Sequence, residues 1–241
     1  MDENALELPF AFASAPDIKK PMKLATKGFE METSVFSAED CAELIRELGP
    51  VSGAGRRLEG FSPPQALVAL AAKHLKNPPR AVRAILFDKS SDTNWLVAWH
   101  QDLTIAVREK RQVSGFGPWS AKEGISHVQP PLELLEHMLT LRLHLDDADA
   151  GNGALRVLPG SHTLGKLDSD RIQSLRTEIP EHLCTANPGD VLLMRPLLLH
   201  ASGKSTDARH RRVLHIEFAG FKLPGGLEWH ADYPPAAARA A

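Results

Sequence analysis

The sequence is most informative at first for what it has little of. Only two of its 241 residues are cysteines, Cys41 and Cys184, and they form neither a CxxC pair nor a disulfide framework. No apolar run approaches the roughly 20 residues that cross a bilayer, since even "VLLMRPLLLH" is broken by Arg195 and Pro196. Neither charge sign dominates: 28 Lys plus Arg stand against 30 Asp plus Glu, for a net charge of −2. That balance gives no global attraction to nucleic acid or to an anionic membrane, so the expected partner is a small-molecule substrate. The first residues, "MDENALELPF", lack the basic and apolar regions of a secretory leader, and a reducing cytoplasm is the expected compartment. No internal repeat or low-complexity tract is present, and nothing fixes an oligomeric state.

What is present suits a substantial core, because 43% of the residues are hydrophobic. Residues 1–82 read as a mostly helical lead-in. In "FSAEDCAELIRELG" Ser37 is placed to cap, acidic residues fill the first turn, Leu44, Ile45 and Leu48 share a face, and Gly49 ends the pattern. "SPPQALVALAAKHLKN" repeats it, with Pro63 suited to a first turn. From residue 83 the pattern changes to short β-type runs, "AVRAILF", "NWLVAWHQDLTIAV", "LTLRLHL", "ALRVL", "DVLLM" and "RRVLHIEFA", separated by turns such as "DDADAGNG" and "ANPGD". The fold class is therefore mainly β with flanking helices (α+β), organised as one domain over 1–241 with its β core at 83–220. Residues 221–241 form a C-terminal tail, and its end "PPAAARAA" is expected to fray.

Residues 103–138 form a connection far longer than the about 12 to 15 residues a structureless loop usually spans. It holds Phe116, Trp119 and a short helical pattern over 131–138, and reads as a partly ordered lid. Its opening cations Arg108, Lys110 and Arg111 fit a solvated face or a greeting surface for an acidic substrate.

The chemistry-bearing feature is "AWHQDLTIAV". In a strand, successive side chains alternate sides, so His100 and Asp102 point one way and Gln101 the other. Two neutral imidazoles and one carboxylate on one face of an iron leave three positions open, the arrangement of non-haem Fe(II) oxygenases. Most other histidines lie in helical patterns or exposed loops. His200 stands apart, ending "DVLLMRPLLLH" just before the cation-rich "ASGKSTDARHRRVL".

In order and spacing, "WHQD", "NGALRVLPGSH", "GDVLLM" and "HASGKSTDARHRRVLHIEF" resemble the phytanoyl-CoA dioxygenase family of Fe(II)- and 2-oxoglutarate-dependent oxygenases. The resemblance runs from about residue 83 to 218. It implies a double-stranded β-helix, or jelly roll, with Fe(II) held by His100, Asp102 and His200, and with 2-oxoglutarate and O2 as cosubstrates. It also implies an arginine on the strand after the distal histidine to clamp the free carboxylate of 2-oxoglutarate. Arg211, eleven residues beyond His200 (211 − 200), matches that position. Arg212 is the rival, because alternation alone does not say which strand face is the cavity. Ser202 matches a family position that touches the cosubstrate, and Lys89 and Asn94 are further candidates to contact it. Asn152 and Gly153 read as residues that brace the site, and His162 as a hydrogen-bonding turn residue and not a metal ligand.

In "LTLRLHLDD" leucines alternate with Arg142 and His144. Either the polar face meets solvent, or it lines the cavity, where Arg142 replaces the aromatic residue of relatives and suits an anionic group of substrate or cosubstrate. The resulting expectation is a dioxygenase that hydroxylates an unactivated C–H bond of a small or carrier-linked, possibly acidic, substrate and releases succinate and CO2. Asp102 favours oxygen transfer over halogenation, since halogenating relatives carry a small residue there. Two alternatives remain at this point: a non-catalytic metal-binding jelly roll, and a zinc hydrolase on the same triad, for which a dicarboxylate-clamping Arg211 has no evident use.

Overall fold

The structure is a computed structural model that describes residues 23–51, 53–207 and 209–234. The expectations for the first residues, and for all but Pro234 of the frayed "PPAAARAA" end, fall outside these. Among the described residues no helix is long and apolar enough to cross a membrane.

The chain opens with α1 (Lys23–Lys27), β1 (Phe29–Glu32), α2 (Ala38–Leu48), β2 (Gly55–Arg57) and α3 (Gln65–Ala72). The capping expectation for α2 holds in detail. Ser37 Oγ accepts from the Asp40 N–H at 3.1 Å, the Ser37 N–H donates to Asp40 Oδ2 at 2.9 Å, and Gly49 closes the helix with its N–H on Ile45 O. Helix predominates among the described lead-in elements, but β1 and β2, which the sequence did not signal, become the two edges of a large sheet. Each is so short that its alternation carries no readable period.

Then follow β3 (Arg80–Lys89), β4 (Val97–His100), β5 (Ile105–Val107), β6 (Trp119–Lys122), β7 (Ile125–Val128), α4 (Leu132–Glu136) and β8 (Met138–His144). The rest comprises β9 (Leu155–Val157), α5 (Ser169–Glu178), β10 (His182–Cys184), β11 (Val191–Met194), β12 (His200–Ser202) and β13 (Arg211–Ala219). A six-stranded sheet runs β1-β11-β8-β13-β3-β2 and a four-stranded sheet runs β10-β9-β12-β4, all neighbours antiparallel. This is the jelly roll. A third sheet, β5-β7-β6, occupies the long connection.

The large sheet is buried on both faces, and that decides where polar side chains go. On its outer face Leu141, Leu143, Leu214, Ile216 and Phe218 pack with Leu67 and Leu70 of α3 and Cys41 of α2 into one cluster. Alternation then turns Arg142, His144, Arg211 and His215 inward, toward the smaller sheet, and all four are buried. The solvent-facing reading of Arg142 and His144 is thereby excluded. Arg212 points outward and forms a two-pronged pair with Asp146, at 2.7 and 2.8 Å. Burial pushes the Cys41 thiol up to about 11 and the Cys184 thiol up to about 12, so neither is a reactive thiolate at neutral pH.

The 103–138 segment carries its own three-stranded sheet and α4 and packs as a layer of the fold. Ile105, Val107, Val128, Leu135 and Met138 join Leu223, Leu227 and Trp229 in a second core cluster, with Phe116 and Trp119 against it. Residues 221–233 pack onto this layer, and the Tyr233 N–H donates to Ala81 O at 3.0 Å.

Gly189 ties these layers together. Its carbonyl accepts from the Val35 and Phe36 N–H groups at 3.0 and 3.2 Å, and its N–H donates to His144 O at 2.8 Å. It has φ +91°, and a Cβ there would lie 2.0 Å from Phe36 O. Gly189→Ala is expected to cost at least about 2 kcal/mol, a melting shift of roughly 4–8 °C. An unchanged thermal melt overturns that expectation.

Candidate metal centre

Strand β12 pairs with β4 so that His200 and His100 are Cα partners, although 100 residues separate them in sequence (200 − 100). Their rings lie 4.2 Å apart, centroid to centroid. Each Nδ1 sits 2.8 Å from the backbone carbonyl two residues earlier, Ala98 O for His100 and Leu198 O for His200. A carbonyl only accepts, so each Nδ1 carries the proton and each Nε2 offers a lone pair.

Asp102 is not on the strand, as sequence parity had it. β4 ends at His100, and residues 101–104 form an irregular segment. Two features aim that segment. The Asp102 N–H donates to Pro196 O at 2.9 Å, and the buried Gln101 amide donates to Gly165 O and Leu197 O, both at 2.8 Å, while its Oε1 accepts from the Leu167 N–H at 2.9 Å. Gln101 does point away from the histidines, and it acts as the clamp that fixes their neighbour.

Asp102 Oδ1 is 3.7 Å from His100 Nε2, and Oδ2 is 3.7 Å from His200 Nε2. One donor atom from each of the three residues falls within a 4.8 Å cluster. Burial opposes charge on Asp102, but the imidazoles of His200, His215 and His100 and the Arg83 guanidinium outweigh it and hold the carboxyl at about 2. Burial lowers His200 to about 4. A charged carboxylate beside two imidazoles whose Nε2 atoms face it is the donor set a divalent metal requires. The residues fit an Fe(II) ion.

The cluster opens into a cavity of about 110 Å³, several times the roughly 10–15 Å³ that one water needs. Arg142, Arg211, Ser202 and His215 line it, together with Arg83, Phe87, Trp95 and Val97. No residue of 103–138 is among the lining; Trp95 and Val97 come instead from the β3–β4 connection and the start of β4. Arg211 donates through Nε to Asn152 O at 3.2 Å, and burial, with Arg142 beside it, lowers its pKa to about 10. Lys89, the Cα partner of Arg211 on β3, is fully buried and donates to Ser202 Oγ and Gly203 O. Its Nζ also lies 5.1 Å from the Trp95 ring centre. Gly153 permits this approach, since a Cβ there would meet Gly203 O at 2.5 Å.

Asn94 stands elsewhere. Its carboxamide donates to Ser205 O and accepts from the Ser205 N–H, both at 2.8 Å, and it is absent from the cavity wall. The expectation had extended β4 back to residue 94, whereas the strand starts at Val97. The outer cations are also accounted for: Arg108 pairs with Glu228, Arg111 with Glu109, and Lys110 lies over Trp119. His162 bonds Ala25 O at 3.2 Å.

Sequence reasoning missed a buried chain of polar groups along β13. Arg83 donates to Glu217 at 2.9 Å, His215 Nε2 lies 3.4 Å from the same carboxylate oxygen, and His215 Nδ1 lies 3.0 Å from Arg142 Nη1. The signal was available, because His215 and Glu217 share strand parity with Arg211.

A jelly roll that gathers two histidines and one carboxylate at the mouth of a cavity is the arrangement of non-haem iron oxygenases. The phytanoyl-CoA dioxygenase (PhyH) family matches residues 27–213, most of the chain, and the chain belongs to that family. Iron(II), 2-oxoglutarate and O2 are the family's cofactors, and its enzymes act on small molecules. Among solved structures, AviO1 from Streptomyces viridochromogenes Tue57 is similar at 22% identity and TM-score 0.54, over 89% of this chain and 95% of that one. EctD from S. alaskensis in its apoform is similar at 18% identity and TM-score 0.64, over 91% and 85%. HygX from Streptomyces hygroscopicus, solved with nickel and 2-oxoglutarate bound, is similar at 17% identity and TM-score 0.55, over 81% and 84%. No protein of curated function matches the sequence.

Two outcomes follow from this geometry. Gln101→Leu is expected to keep the fold and weaken binding of a divalent metal by about 10- to 100-fold, measured by calorimetry; unchanged affinity removes Gln101 from its clamping role. Burial, then Arg211 and Arg142, lower Lys89 to about 7 from an ordinary 10.5. Between those pH values the unfolded chain binds the extra proton, so this group makes stability rise with pH from about 7 to 10.5. Denaturant titrations are expected to show a shallower rise in Lys89→Met than in the wild type, and identical slopes refute it.

Proposed function

We propose that the chain is a single-domain Fe(II)- and 2-oxoglutarate-dependent hydroxylase of a small or carrier-linked molecule. The observation that carries this is the convergence, on one cavity, of the Nε2–carboxylate–Nε2 cluster with Arg211, a buried arginine that no carboxylate pairs among the described residues. The assignment makes His100, Asp102 and His200 the iron ligands and Arg211 the partner of the free carboxylate of 2-oxoglutarate. Its planar fork suits a carboxylate held by two charge-assisted hydrogen bonds. Asn152 O positions the fork through Nε and leaves its terminal nitrogens for the ligand.

In this reading Ser202 lines the cosubstrate end of the wall and Lys89 backs it from outside the cavity: Ser202 donates its proton to Gly153 O at 3.1 Å and accepts from Lys89. Iron and 2-oxoglutarate together supply the oxidising chemistry: one oxygen atom of O2 enters the substrate as a hydroxyl, and the other leaves in succinate as CO2 is released. The protein's own work is to fix three ligands, orient two organic molecules and keep water from the wall formed by Phe87, Trp95 and Val97. Asp102 occupies the position that a halogenating enzyme would leave open for halide, which favours oxygen transfer. A zinc hydrolase on the same triad has no use for Arg211, a buried arginine in the cavity wall that no carboxylate pairs among the described residues.

Anaerobic addition of Fe(II) and 2-oxoglutarate is expected to produce the visible charge-transfer band of their chelate, and His100→Ala or Asp102→Ala to abolish it. No band in the wild type, or an undiminished one in His100→Ala, sinks the oxygenase reading. Arg211→Met is expected to weaken 2-oxoglutarate by about 10- to 150-fold in the same titration, the loss of a hydrogen-bonded charge pair.

A further inference from the structure

We propose that Arg142 anchors an oxyanion, a carboxylate or phosphate carried by the primary substrate, so that the molecule oxidised here is a small acid. This rests on the oxygenase reading for the fate of 2-oxoglutarate, but the observation behind it is independent. The inner wall carries more positive charge than that cosubstrate neutralises. Arg142 and Arg211 both line the cavity, both are buried, and among the described residues neither has a carboxylate within ion-pair distance. The carboxylates nearby are committed: Glu217 to Arg83, and Asp102 to the metal cluster.

A buried guanidinium without a counterion is costly, and arginine cannot escape the cost by losing its proton. 2-Oxoglutarate brings one carboxylate beyond the one that chelates metal, and Arg211 takes it. Lys89 has hydrogen-bond partners in Ser202 and Gly203. Arg142 is left over.

Its surroundings aim it rather than neutralise it. Arginine only donates, so its 3.0 Å contact with His215 fixes Nδ1 of that ring as the acceptor and turns Nε2–H toward Glu217. The chain of bonds therefore runs from Arg142 through His215 to a glutamate already held by Arg83. The guanidinium also lies over the Phe87 ring at 5.8 Å, which fixes its plane, and it lines the cavity. Its Nε has no partner in the structure. Two residues on, the same strand face presents His144, 1% exposed, with both ring nitrogens unpartnered. The oxyanion site is therefore centred on Arg142, which lines the cavity with an unused donor, while His144 stands behind it on the same strand face and outside the cavity lining.

The test uses the full chain loaded with Mn(II), titrated calorimetrically with hexanoate, hexyl phosphate and hexanamide, each with and without 2-oxoglutarate. One of the two anions is expected to bind at least about 10-fold tighter than the amide, and the two anions separate carboxylate from phosphate as the preferred group. In Arg142→Leu and Arg142→Gln, with folding checked by thermal melts, that preference is expected to vanish while the affinity for 2-oxoglutarate stays within about threefold of wild type. Equal binding of both anions and the amide to the wild type overturns the proposal whatever the variants do. So does a preference that survives loss of Arg142, or a loss confined to 2-oxoglutarate, which would assign Arg142 to the cosubstrate. If the wild type prefers the anion yet fails to bind 2-oxoglutarate, the oxygenase reading falls and the Arg142 site stands.

Discussion

The pairing of β12 with β4, which sets His200 opposite His100, is the constraint on which the metal centre depends. Both rings are then fixed by the same local device, an Nδ1–H on the carbonyl two residues back. No second side chain is needed to choose the tautomer. Asp102 completes the set from beyond the strand end through one backbone bond and the Gln101 clamp. The centre is thus braced largely by main chain, which a sheet supplies in register once its strands have met. Closing a contact between residues 100 apart is entropically expensive, and the long ladders of β13 with β3 and β8 provide the frame that offsets it.

How legible this was depends on the range of the interactions that decide each feature. The α2 cap was readable because Ser37, Asp40 and Gly49 are neighbours acting on local backbone. His100, Asp102 and His200 were readable as a set, with the geometry of Asp102 reached by an argument that fails in detail. The strand stops at His100, and clamping rather than parity turns the carboxylate toward the histidines. Asn94 was misplaced for the same reason, since alternation was carried past the point where the strand begins. Edge strands β1 and β2 were invisible because three or four residues carry no period, and only the neighbouring strands make them β.

The faces of β8 and β13 show the limit most plainly. Alternation separated leucines from Arg142 and His144, and Arg211 from Arg212, but it could not say which side was inside. The answer comes from the helices of the lead-in, which cover the leucine face and leave the polar face to meet the second sheet. A pattern that signals a half-exposed strand in a two-layer protein signals a cavity wall once a third layer is added.

Arg211 and Arg212 then become a controlled comparison within one strand. Arg212, on the outer side, receives the arrangement that a structural arginine should have: both oxygens of Asp146 accept from it, and its backbone N–H joins them. Arg211, one residue earlier and buried to 3% exposure, has a single carbonyl partner. Arg142, whose hydrogen-bond partner is His215, likewise pairs with no carboxylate among the described residues. Folding alone has no reason to place two unpaired arginines on the interior face while satisfying the adjacent arginine outside, because each such charge subtracts from stability. Arg212 shows that the chain can pair an arginine where stability is the requirement. In the reading proposed above, ligands supply the missing negative charge on the inner face, and the unequal treatment of two adjacent arginines is the observation that supports it.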